Sequence, residues 1–296
     1  MRKVVIESDQ PTLLSGWLAK AFPALSRTDA AALLAGKDIK VNGQRVKGNV
    51  ELSPGDEVTL YLPDRKLDGP PLEVLWHSPA VVVAVKPAGV LSKAEGEADM
   101  ETHVSQWLAR QREPSDAMAC HRLDSGTGGL MIFARSVVAE TAVREMMEQG
   151  KIRKSYRCVV RGRPMPDRAV LTAWLVKDAA RAVVSVHDKP MPNGRTAVTE
   201  YTVQKSDGDR SLLSVTLHTG RTHQIRAHMA HLGHPILGDD KYGDRAFNRQ
   251  HKARRQMLWA CKIEFLFSKE ECPLLSDLAG VVLETHAPFE NELWIH

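Results

Sequence analysis

The chain has few cysteines, few aromatic residues and no long apolar run. Its four cysteines, Cys120, Cys158, Cys261 and Cys272, lie far apart and form no C-x-x-C pair. This spacing argues against a zinc knuckle or a disulfide framework and suits a reducing compartment. No segment approaches the roughly 18 consecutive apolar residues that a membrane span needs, and the opening stretch MRKVVIESDQPTLL lacks the apolar core of a secretion signal. We therefore expect a cytoplasmic protein with no membrane partner.

Basic residues are concentrated in two stretches, although the net charge is only +4. The 296 residues are 43% hydrophobic and 26% charged, a balance typical of a globular protein. The segment GKIRKSYRCVVRGR (150–163) has no acidic residue, and a second basic run follows Tyr242. Two such runs near candidate sites favour a polyanionic partner such as nucleic acid. Their cations are Lys151, Arg153, Lys154, Arg157, Arg161 and Arg163, then Arg245, Arg249, Lys252, Arg254 and Arg255.

Turn signals and hydrophobic periodicity divide the chain into a small and a large domain. Residues 1–62 begin with two helix patterns, the second of which opens with a capping-box pattern at Ser26 and Asp29. An Asn-Gly hairpin follows in DIKVNGQRV. Residues 63–72 are rich in Pro, Gly and charge, so we expect a linker there. In 73–296 short strands outnumber helices, which predicts an α+β domain with a large mixed or antiparallel sheet.

Several elements of the large domain can be located from their patterns. METHVSQWLARQR and VVAETAVREMMEQG are typical of helices. The segments VVVAVK, GLMIFA, SYRCVV, AVTEYTVQ and LLSVTLHTG are typical of strands. The most unusual residues of the domain lie in the loops that these elements connect.

The stretch ACHRLDSGTGGLMIFARS places Asp124 between basic residues and a strand-like apolar run. A kinase catalytic loop is excluded, since kinases have Asp directly after Arg and a downstream D-F-G. DSGT matches the aspartic-protease tetrapeptide, but those enzymes need two carboxylates, and with one such motif in this chain only a symmetric dimer could supply the second. An ionised carboxylate can instead attack an electrophilic carbon, and a neighbouring Arg favours the charged form. The residues alone leave this nucleophile and a turn or cap role equally open.

Histidines are concentrated in HTGRTHQIRAHMAHLGH (218–234), which raises the question of a metal site. His228 and His231 have the i,i+3 spacing of one helical face, but no Asp or Glu falls within the run. Arg221 and Arg226 lie among the histidines and would repel a cation, whereas imidazole and guanidinium together suit phosphate or a carboxylate. We therefore expect no metal, and structural roles for most of these histidines.

Five sequence blocks of the large domain resemble the motifs of a single protein family. KPAG (86–89), HRLDSGTGGLMIFA (121–134) and GRTHQIRAHMAHLGHPILGDDKYG (220–243) follow one another, with KSY (154–156) and QMLWACKIEF (256–265) in strand-like segments. Together they resemble the RluA-type pseudouridine synthase family, whose catalytic block is usually written H-R-L-D-x-x-T-S-G-L-L-L-F-A. Residues 12–60, with SR at the second helix and VNGQRV in the hairpin, are similar to the S4 RNA-binding fold.

The resemblance implies that the chain isomerises uridine to pseudouridine in RNA. No cofactor is implied, because no electrons or groups are exchanged. By the resemblance Asp124 is the nucleophile, which attacks ribose C1′ or uracil C6, and Arg226 is its ion-pair partner. Tyr156 would stack on a base extruded from the RNA. Further RNA contacts are implied for Arg122, which would fill the gap left by the base or contact a phosphate, and for His121, Arg221, His223 and Gln224.

The same resemblance implies the RNA that is modified. Synthases with an S4 unit commonly act on large-subunit ribosomal RNA, so 23S rRNA is the expected partner, bound by a monomer. A synthase acting on tRNA and a non-catalytic RNA-binding or ribosome-assembly protein on the same fold are the alternatives. In the S4-like unit the basic residues expected to hold RNA are Arg27, Lys37, Lys40, Arg45 and Lys47.

The sequence departs from the family pattern in two places. The T-S-G of the catalytic block is T-G-G here, which removes a hydroxyl at Gly128. After KPAG, the acidic VLSKAEGEADME stands where the family has apolar residues and a His-Pro. Neither change touches Asp124, Tyr156 or Arg226, so we expect activity to be retained. The changes bear on the target uridine and on loop geometry.

Overall fold

A computed structural model describes most of the chain in two compact units. The described residues are 2–6, 10–22, 25, 27–36, 38–62, 67, 72–94, 99–178 and 180–292, so most of the expected linker falls outside them. One unit comprises Met1–Glu73 with Lys93–Ser115, and the other comprises Val74–Ser92 with Asp116–His296. Residues 93–115 thus fall in the first unit rather than in the expected 73–296 domain. A boundary drawn at a Pro- and Gly-rich stretch cannot detect a segment that leaves one unit, joins the other and returns.

The first unit combines short antiparallel strands with helices. Its elements are β1 (Arg2–Val5), β2 (Thr12–Leu13), α1 (Leu14–Ala21), α2 (Arg27–Ala35), β3 (Ile39–Val41), β4 (Gln44–Arg45), β5 (Glu51–Leu52), β6 (Glu57–Leu60) and α3 (Met100–Arg110). Strands pair in the order β1-β6-β3-β4, with a separate β2-β5 pair. Asn42 and Gly43 close the expected hairpin with positive φ angles of 50° and 81°, as a tight two-residue turn requires. The N-cap expected at Ser26 lies outside the described residues.

The second unit is built on one large mixed sheet. Its strands are β7 (Val74–His77), β8 (Val81–Lys86), β9 (Met118–Ala119), β10 (Gly128–Ala134), β11 (Ile152–Arg161), β12 (Arg168–Asp178), β13 (Val183–His187), β14 (Arg195–Ser206), β15 (Arg210–Leu217), β16 (Leu258–Phe265) and β17 (Val282–Glu284). Within the described ranges they pair in the order β13-β12-β14-β15-β11-β16-β10-β8-β7, with β9 on β10 and β17 on β16. The β10-β16 pair is parallel, and the pairs on either side of it are antiparallel. The α+β class with a mixed sheet is confirmed.

Helices cover parts of this sheet. They are α4 (Val137–Glu148), α5 (Gln224–His231), α6 (Arg245–Gln250) and α7 (Phe289–Glu292), with a 3-10 helix at Pro273–Leu278. Helix α4 begins at Ser136, whose hydroxyl oxygen accepts the Ala139 N–H (3.1 Å), a standard N-cap. Its Ala139 and Val143, one turn apart, pack in the same core as Ile132 of β10. No helix in the described part of the chain is long and apolar enough to cross a membrane.

Four central strands bring the sequence blocks into one row. Lys86 at the end of β8 is the register partner of Gly129 on β10, and Gly129 is the partner of Ala260 on β16. Ala260 in turn is the partner of Tyr156 on β11. Because neighbouring strands lie about 5 Å apart, the turn before β10, which carries Asp124, comes close to Tyr156. Pairing of distant segments therefore assembles the site.

The T-G-G departure has a packing cause. A Cβ atom at Gly128 would lie 2.2 Å from Cζ3 of the Trp259 ring, and one at Gly129 would lie 2.2 Å from the carbonyl oxygen of Ala260. Gly129 also has a φ of 113°, which side chains rarely adopt. The indole of Trp259 thus fills the space that a serine side chain would need at Gly128.

We expect the Gly128→Ser substitution to destabilise the protein. Overpacking against Trp259 should lower the free energy of unfolding by about 1 to 3 kcal/mol. In a protein that already carries Trp259→Leu, the serine should lower the free energy of unfolding by much less, because the indole ring is absent. Urea unfolding of the two single variants and the double variant gives the coupling energy. Equal costs in both backgrounds would contradict the packing explanation.

Candidate active site

The turn that carries Asp124 is fixed on both sides by hydrogen bonds. Before Asp124, the Leu123 N–H donates to Ser92 Oγ (2.9 Å), and the same hydroxyl donates to the Leu123 carbonyl (2.7 Å). After Asp124, the Ser125 carbonyl accepts a hydrogen bond from Lys86 Nζ (3.1 Å). The KPAG segment and the residues after it therefore hold the backbone of Asp124 in one place.

Lys86 is a buried cation under this turn. Its side chain is fully buried, and Nζ also donates to the carbonyls of Pro87 (3.1 Å) and Val90 (2.5 Å). Burial lowers the pKa of Lys86 to about 8, against the opposing effect of the Asp124 carboxylate. Three carbonyl acceptors satisfy the hydrogen bonds of the ammonium group, and Asp124 is the charge that offsets it.

Asp124 forms an ion pair with Arg226 of α5. Arg226 Nη1 donates to Asp124 Oδ2 at 3.0 Å, and the exposed fractions of the two side chains are 4% and 19%. The expected ion pair is thus present, between residues far apart in sequence. An aspartic protease would place a second carboxylate against the first, whereas the group in contact with Asp124 is a guanidinium. The geometry therefore disfavours the protease interpretation.

Two further carboxylates hold Arg226 in this position. Asp239 makes a bidentate contact, accepting from Arg226 Nε (2.6 Å) and Nη2 (2.9 Å), and Asp240 accepts from Nη2 at 3.0 Å. Burial alone would lower the pKa of Arg226, but the hydrogen bonds and charges of Asp239 and Asp124 outweigh burial and raise it. Burial alone would raise the pKa of Asp239, but Arg226 and the N–H groups of Tyr242 and Lys241 hold it below its usual value. The guanidinium is therefore always charged and cannot rotate freely.

His223 lies beside the same carboxylate. Its Nε2 is 3.7 Å from Asp124 Oδ2, and its Nδ1 is 2.9 Å from the Tyr242 hydroxyl. That hydroxyl accepts the Val184 N–H (2.7 Å), so its own proton is free to be donated to Nδ1. This arrangement assigns the imidazole proton to Nε2, on the side of Asp124. Burial lowers the pKa of His223, which favours the neutral ring.

Tyr156 completes a small cavity at Asp124. The cavity has a volume of about 70 Å³ and is lined by Arg122, Asp124, Tyr156, Arg221, His223 and Arg226 among others. Tyr156 is 5% exposed. Burial, and to a lesser degree the Asp124 charge, raise the pKa of Tyr156, so the phenol is neutral. A neutral aromatic ring next to a carboxylate suits a flat, uncharged ligand such as a nucleobase.

Gln224 differs from its sequence-based assignment. It was expected to contact RNA, but its side chain is buried at 2% exposure and both ends are engaged. Oε1 accepts from Thr219 Oγ1 (2.8 Å) and the Arg221 N–H (2.9 Å), while Nε2 donates to the Val198 carbonyl (3.0 Å). With no free polar atom to offer, Gln224 orders the loop before α5 and places Arg221 at the cavity.

The remaining predicted residues of the catalytic unit lie around this cavity. Arg122 and Arg221 are both exposed. Arg221 Nε donates a hydrogen bond to the Thr196 carbonyl (3.1 Å). His121 lies on the other side of Arg122, and its Nε2 accepts the Ile132 N–H (3.2 Å). His121 lines a neighbouring cavity rather than the one at Asp124.

The two histidines considered as metal ligands contact different groups. His228 Nδ1 is 2.9 Å from Thr199 Oγ1, and His231 Nε2 is 3.0 Å from Asp188 Oδ1. Burial lowers the pKa of His228 to about 4. Each histidine therefore has a local hydrogen-bonding role.

The structure describes the side chains of three of the five basic residues that were expected to contact RNA in the first unit, Lys40, Arg45 and Lys47. Lys40 on β3 and Arg45 on β4 are register partners, and Lys40 Nζ lies 5.5 Å from the centroid of the Tyr61 ring. Like charges opposite one another are unfavourable unless an anion joins them, so the pair supports a phosphate contact. The Arg27 side chain and Lys37 lie outside the described residues.

Comparisons with known proteins agree with this geometry. Residues 80–231 match the family described as RNA pseudouridylate synthase, and residues 14–58 match the S4 domain. The chain is similar to "Ribosomal large subunit pseudouridine synthase D" of Xylella fastidiosa, with 33% identity over 94% of this chain and 91% of that protein. The protein of the same name from Salmonella typhimurium is 28% identical over 93% of this chain and 86% of its own length. The solved structure of "Human RNA Pseudouridylate Synthase Domain Containing 4" shares the fold, with a TM-score of 0.60, 24% identity and coverage of 73% of this chain and 88% of that one.

The chain belongs to the RNA pseudouridylate synthase family. The expected family, the S4 unit and the RNA pseudouridine synthase activity are thereby confirmed. Roles of individual residues in this synthase stay proposals, which the geometry above supports.

Several residues of the synthase site were not predicted from the sequence. Asp239, Asp240 and Tyr242 lie in the block GDDKYG, for which the family resemblance implied no role. Lys86 and Ser92 were likewise unassigned. A charge pattern could have pointed to Asp239, since an Asp that follows Gly in a largely apolar segment, PILGDD, needs a cationic partner if it is buried.

We expect Lys154→Met to stabilise the synthase at neutral pH. Burial lowers the pKa of Lys154 to about 8, which means that the charged side chain destabilises the folded protein. Methionine has a similar length but no charge, so it would remove this destabilisation. The gain in the free energy of unfolding should be about 1 to 3 kcal/mol.

The pH dependence of this gain has a defined sign. Below pH 8 the lysine is charged in both folded and unfolded states, so the full cost applies. As the pH rises from 8 towards the unfolded value of 10.5, the folded form loses its proton first and the cost declines. Urea unfolding of both proteins at pH 7 and pH 10 should show a gain that shrinks. A loss of stability at pH 7 would contradict the burial cost.

Proposed function

We propose that this synthase converts uridine of large-subunit ribosomal RNA to pseudouridine, with Asp124 as the nucleophile. The observation that carries the proposal is the Asp124 carboxylate, held 3.0 Å from Arg226 in a cavity that the Tyr156 ring also lines. The names of the relatives from Xylella and Salmonella, which specify the ribosomal large subunit, support the choice of RNA. We expect the protein to act as a monomer in the cytoplasm.

The reaction needs a nucleophile and a confined base but no external reagent. The C1′–N1 bond of uridine breaks and a C1′–C5 bond forms, C5 loses a proton and N1 gains one, so atoms and electrons balance. Asp124 attacks ribose C1′ or uracil C6, and is released when the new bond is complete. Arg226 and His223 both face Oδ2, and among the described residues Oδ1 makes no hydrogen bond. Oδ1 is therefore the oxygen that meets the substrate.

The cavity surroundings suit a base extruded from a strand. Tyr156 stacks on the base, and Arg122, exposed next to the cavity, contacts a phosphate or fills the space that the base leaves. Cavities of about 520 and 280 Å³ flank the one at Asp124, and Arg221 lines all three. A ligand longer than one nucleotide fits this arrangement, and Arg221 would contact it near the reacting uridine.

The Asp124→Asn substitution tests the proposed function. It keeps the shape of the side chain but removes the anionic nucleophile, so the rate should fall by at least about a thousandfold. Cells that carry the variant as their sole copy should lack pseudouridine at one or more positions of large-subunit rRNA when total RNA is mapped. RNA affinity of the purified variant should be retained.

The mapping also separates the alternatives. Loss of pseudouridine from tRNA instead of rRNA would show that tRNA is the substrate. Persistence of every pseudouridine in a strain without the gene would favour a non-catalytic ribosome-assembly protein. Persistence in the Asp124→Asn strain but not in the deletion strain would show that another residue is the nucleophile.

Arg226→Ala should reduce the rate far more than RNA binding. The guanidinium that faces the nucleophile would be lost, at an expected cost of about a hundredfold to a thousandfold in kcat. RNA affinity should change by less than roughly threefold, because Arg226 is buried and is not expected to contact a phosphate. Loss of a phosphate contact would weaken binding by more than this. Single-turnover kinetics and filter binding measure the two quantities.

Arg226→Lys is the matched control for this change. It keeps a charge for the buried Asp239 but cannot reproduce the bidentate contact, so its rate should lie between wild type and alanine while its fold is preserved. Equal losses of rate and affinity in either variant would exclude the ion-pair role.

A further inference from the structure

In the part of the catalytic unit that the structure describes, Lys154 is a cation without a counterion. Its side chain is partly buried on β11, and none of the described residues forms an ion pair or a hydrogen bond with Nζ. Burial lowers its pKa with no opposing carboxylate. On the opposite face of the sheet, by contrast, Arg157 donates to Ser214 (2.5 Å), and Lys262 lies 3.2 Å from Glu264. Keeping a partly buried charge unpaired is unfavourable, so an anion from outside the chain is the expected partner.

The surroundings of Lys154 are strongly cationic. It lines a cavity of about 520 Å³ together with Arg144, Arg153 and Arg221, against one acidic residue, Glu148. Arg144 is paired with Glu140, but Arg153 has no ion-pair partner within the described ranges. This cavity meets the one at Asp124, since both are lined by Leu217 and Arg221. An anion bound here would therefore belong to the ligand that reaches Asp124.

His121 adds a second donor to the same cavity. Its Nε2 accepts the Ile132 N–H (3.2 Å), so in the neutral ring the proton is on Nδ1. Nδ1 is buried and has no hydrogen-bond partner of normal geometry among the described side chains and backbone groups, although the Arg122 backbone lies near it. Burial and the Lys154 charge hold the pKa of His121 well below its usual value. A neutral N–H donor beside an ammonium group suits an oxyanion.

We propose that Lys154, assisted by His121, binds one phosphodiester of the RNA strand next to the target uridine. Lys154 and Tyr156 are two residues apart on β11, so their side chains share a face about 7 Å apart along the strand. A nucleobase and the phosphates that flank it are separated by a similar distance. With the base on Tyr156, the backbone of the same nucleotide or its neighbour reaches Lys154. The contact rests on the proposed function and fixes which way the strand runs through the site.

Replacing the charge of Lys154 tests this contact. In the Asp124→Asn background, so that no product forms, Lys154→Met should bind transcribed large-subunit rRNA roughly tenfold more weakly at moderate salt. The slope of log affinity against log salt should become shallower by about one unit. Lys154→Arg should retain both values. Lys205→Gln, which removes an exposed cation at the far end of the β14-β15 hairpin, is the control for charge loss alone.

A neutral phosphate analogue locates the partner of Lys154. In a short hairpin around the mapped uridine, single methylphosphonates replace the phosphodiesters one at a time. One substitution, within two nucleotides of the uridine, should weaken binding of the Lys154 protein and have little further effect on Lys154→Met. If every methylphosphonate weakens both proteins equally, or if Lys154→Met keeps the wild-type salt slope, the proposal is wrong.

These outcomes can be separated from a failure of the proposed function. Binding is measured in protein that cannot react, and Lys154→Met is expected to be at least as stable as wild type, so weak binding would not reflect misfolding. Should Asp124→Asn still produce pseudouridine, the nucleophile assignment would fail while the methylphosphonate pattern would still identify or exclude the phosphate contact.

Discussion

The guanidinium of Arg226 is the contact on which the site depends. It is bound to three carboxylates at once, of which Asp239 is fully buried, Asp240 is exposed and Asp124 faces the cavity. Asp239 needs Arg226 because an unpaired buried carboxylate is unfavourable by several kcal/mol. Arg226 is therefore fixed by a structural requirement, and the group it presents to Asp124 cannot turn away. Stability of the α5 region and the placement of the guanidinium that faces Asp124 therefore share one cause.

The second constraint acts on the backbone of Asp124. Ser92 binds the residue before it and Lys86 binds the residue after it, so the turn cannot shift along the sheet. The row of register partners from Lys86 through Gly129 to Tyr156 then sets the distance between carboxylate and ring. A nucleophile that must meet a carbon in a confined base gains its rate from such fixed placement. Rigid strands supply the placement, while the exposed Arg122 and Arg221 remain free to meet a large ligand.

Local patterns in the sequence predicted the helices and strands, whereas the roles of several individual residues depend on contacts between distant parts of the chain. Helix α4 and strand β10 follow from periodicity and capping, and Asp124 and Arg226 were found because family likeness marks both. Asp239 was missed because its role depends on burial, which a single sequence does not reveal. The internal hydrogen bonds of Gln224 could not be predicted for the same reason, since a polar residue in a binding motif looks available until its partners are known. The glycine at 128 could be understood only with the Trp259 ring in view.

The local arrangement of charges in this protein matters more for RNA binding than its net charge does. A net charge of +4 gives little long-range attraction for RNA, and several cations of the large sheet, among them Arg161, Arg168 and Lys262, are paired with neighbouring carboxylates. Among the residues that the structure describes, Lys154 has no such neighbour, although an acidic residue there would relieve the cost of burying its charge. An internal carboxylate would stabilise the free protein but compete with phosphate for the ammonium group. The missing carboxylate partner of Lys154 in the described part of the chain therefore favours the RNA-bound protein over the empty site. Stability that the free protein gives up contributes to RNA affinity at the place where the strand must be held.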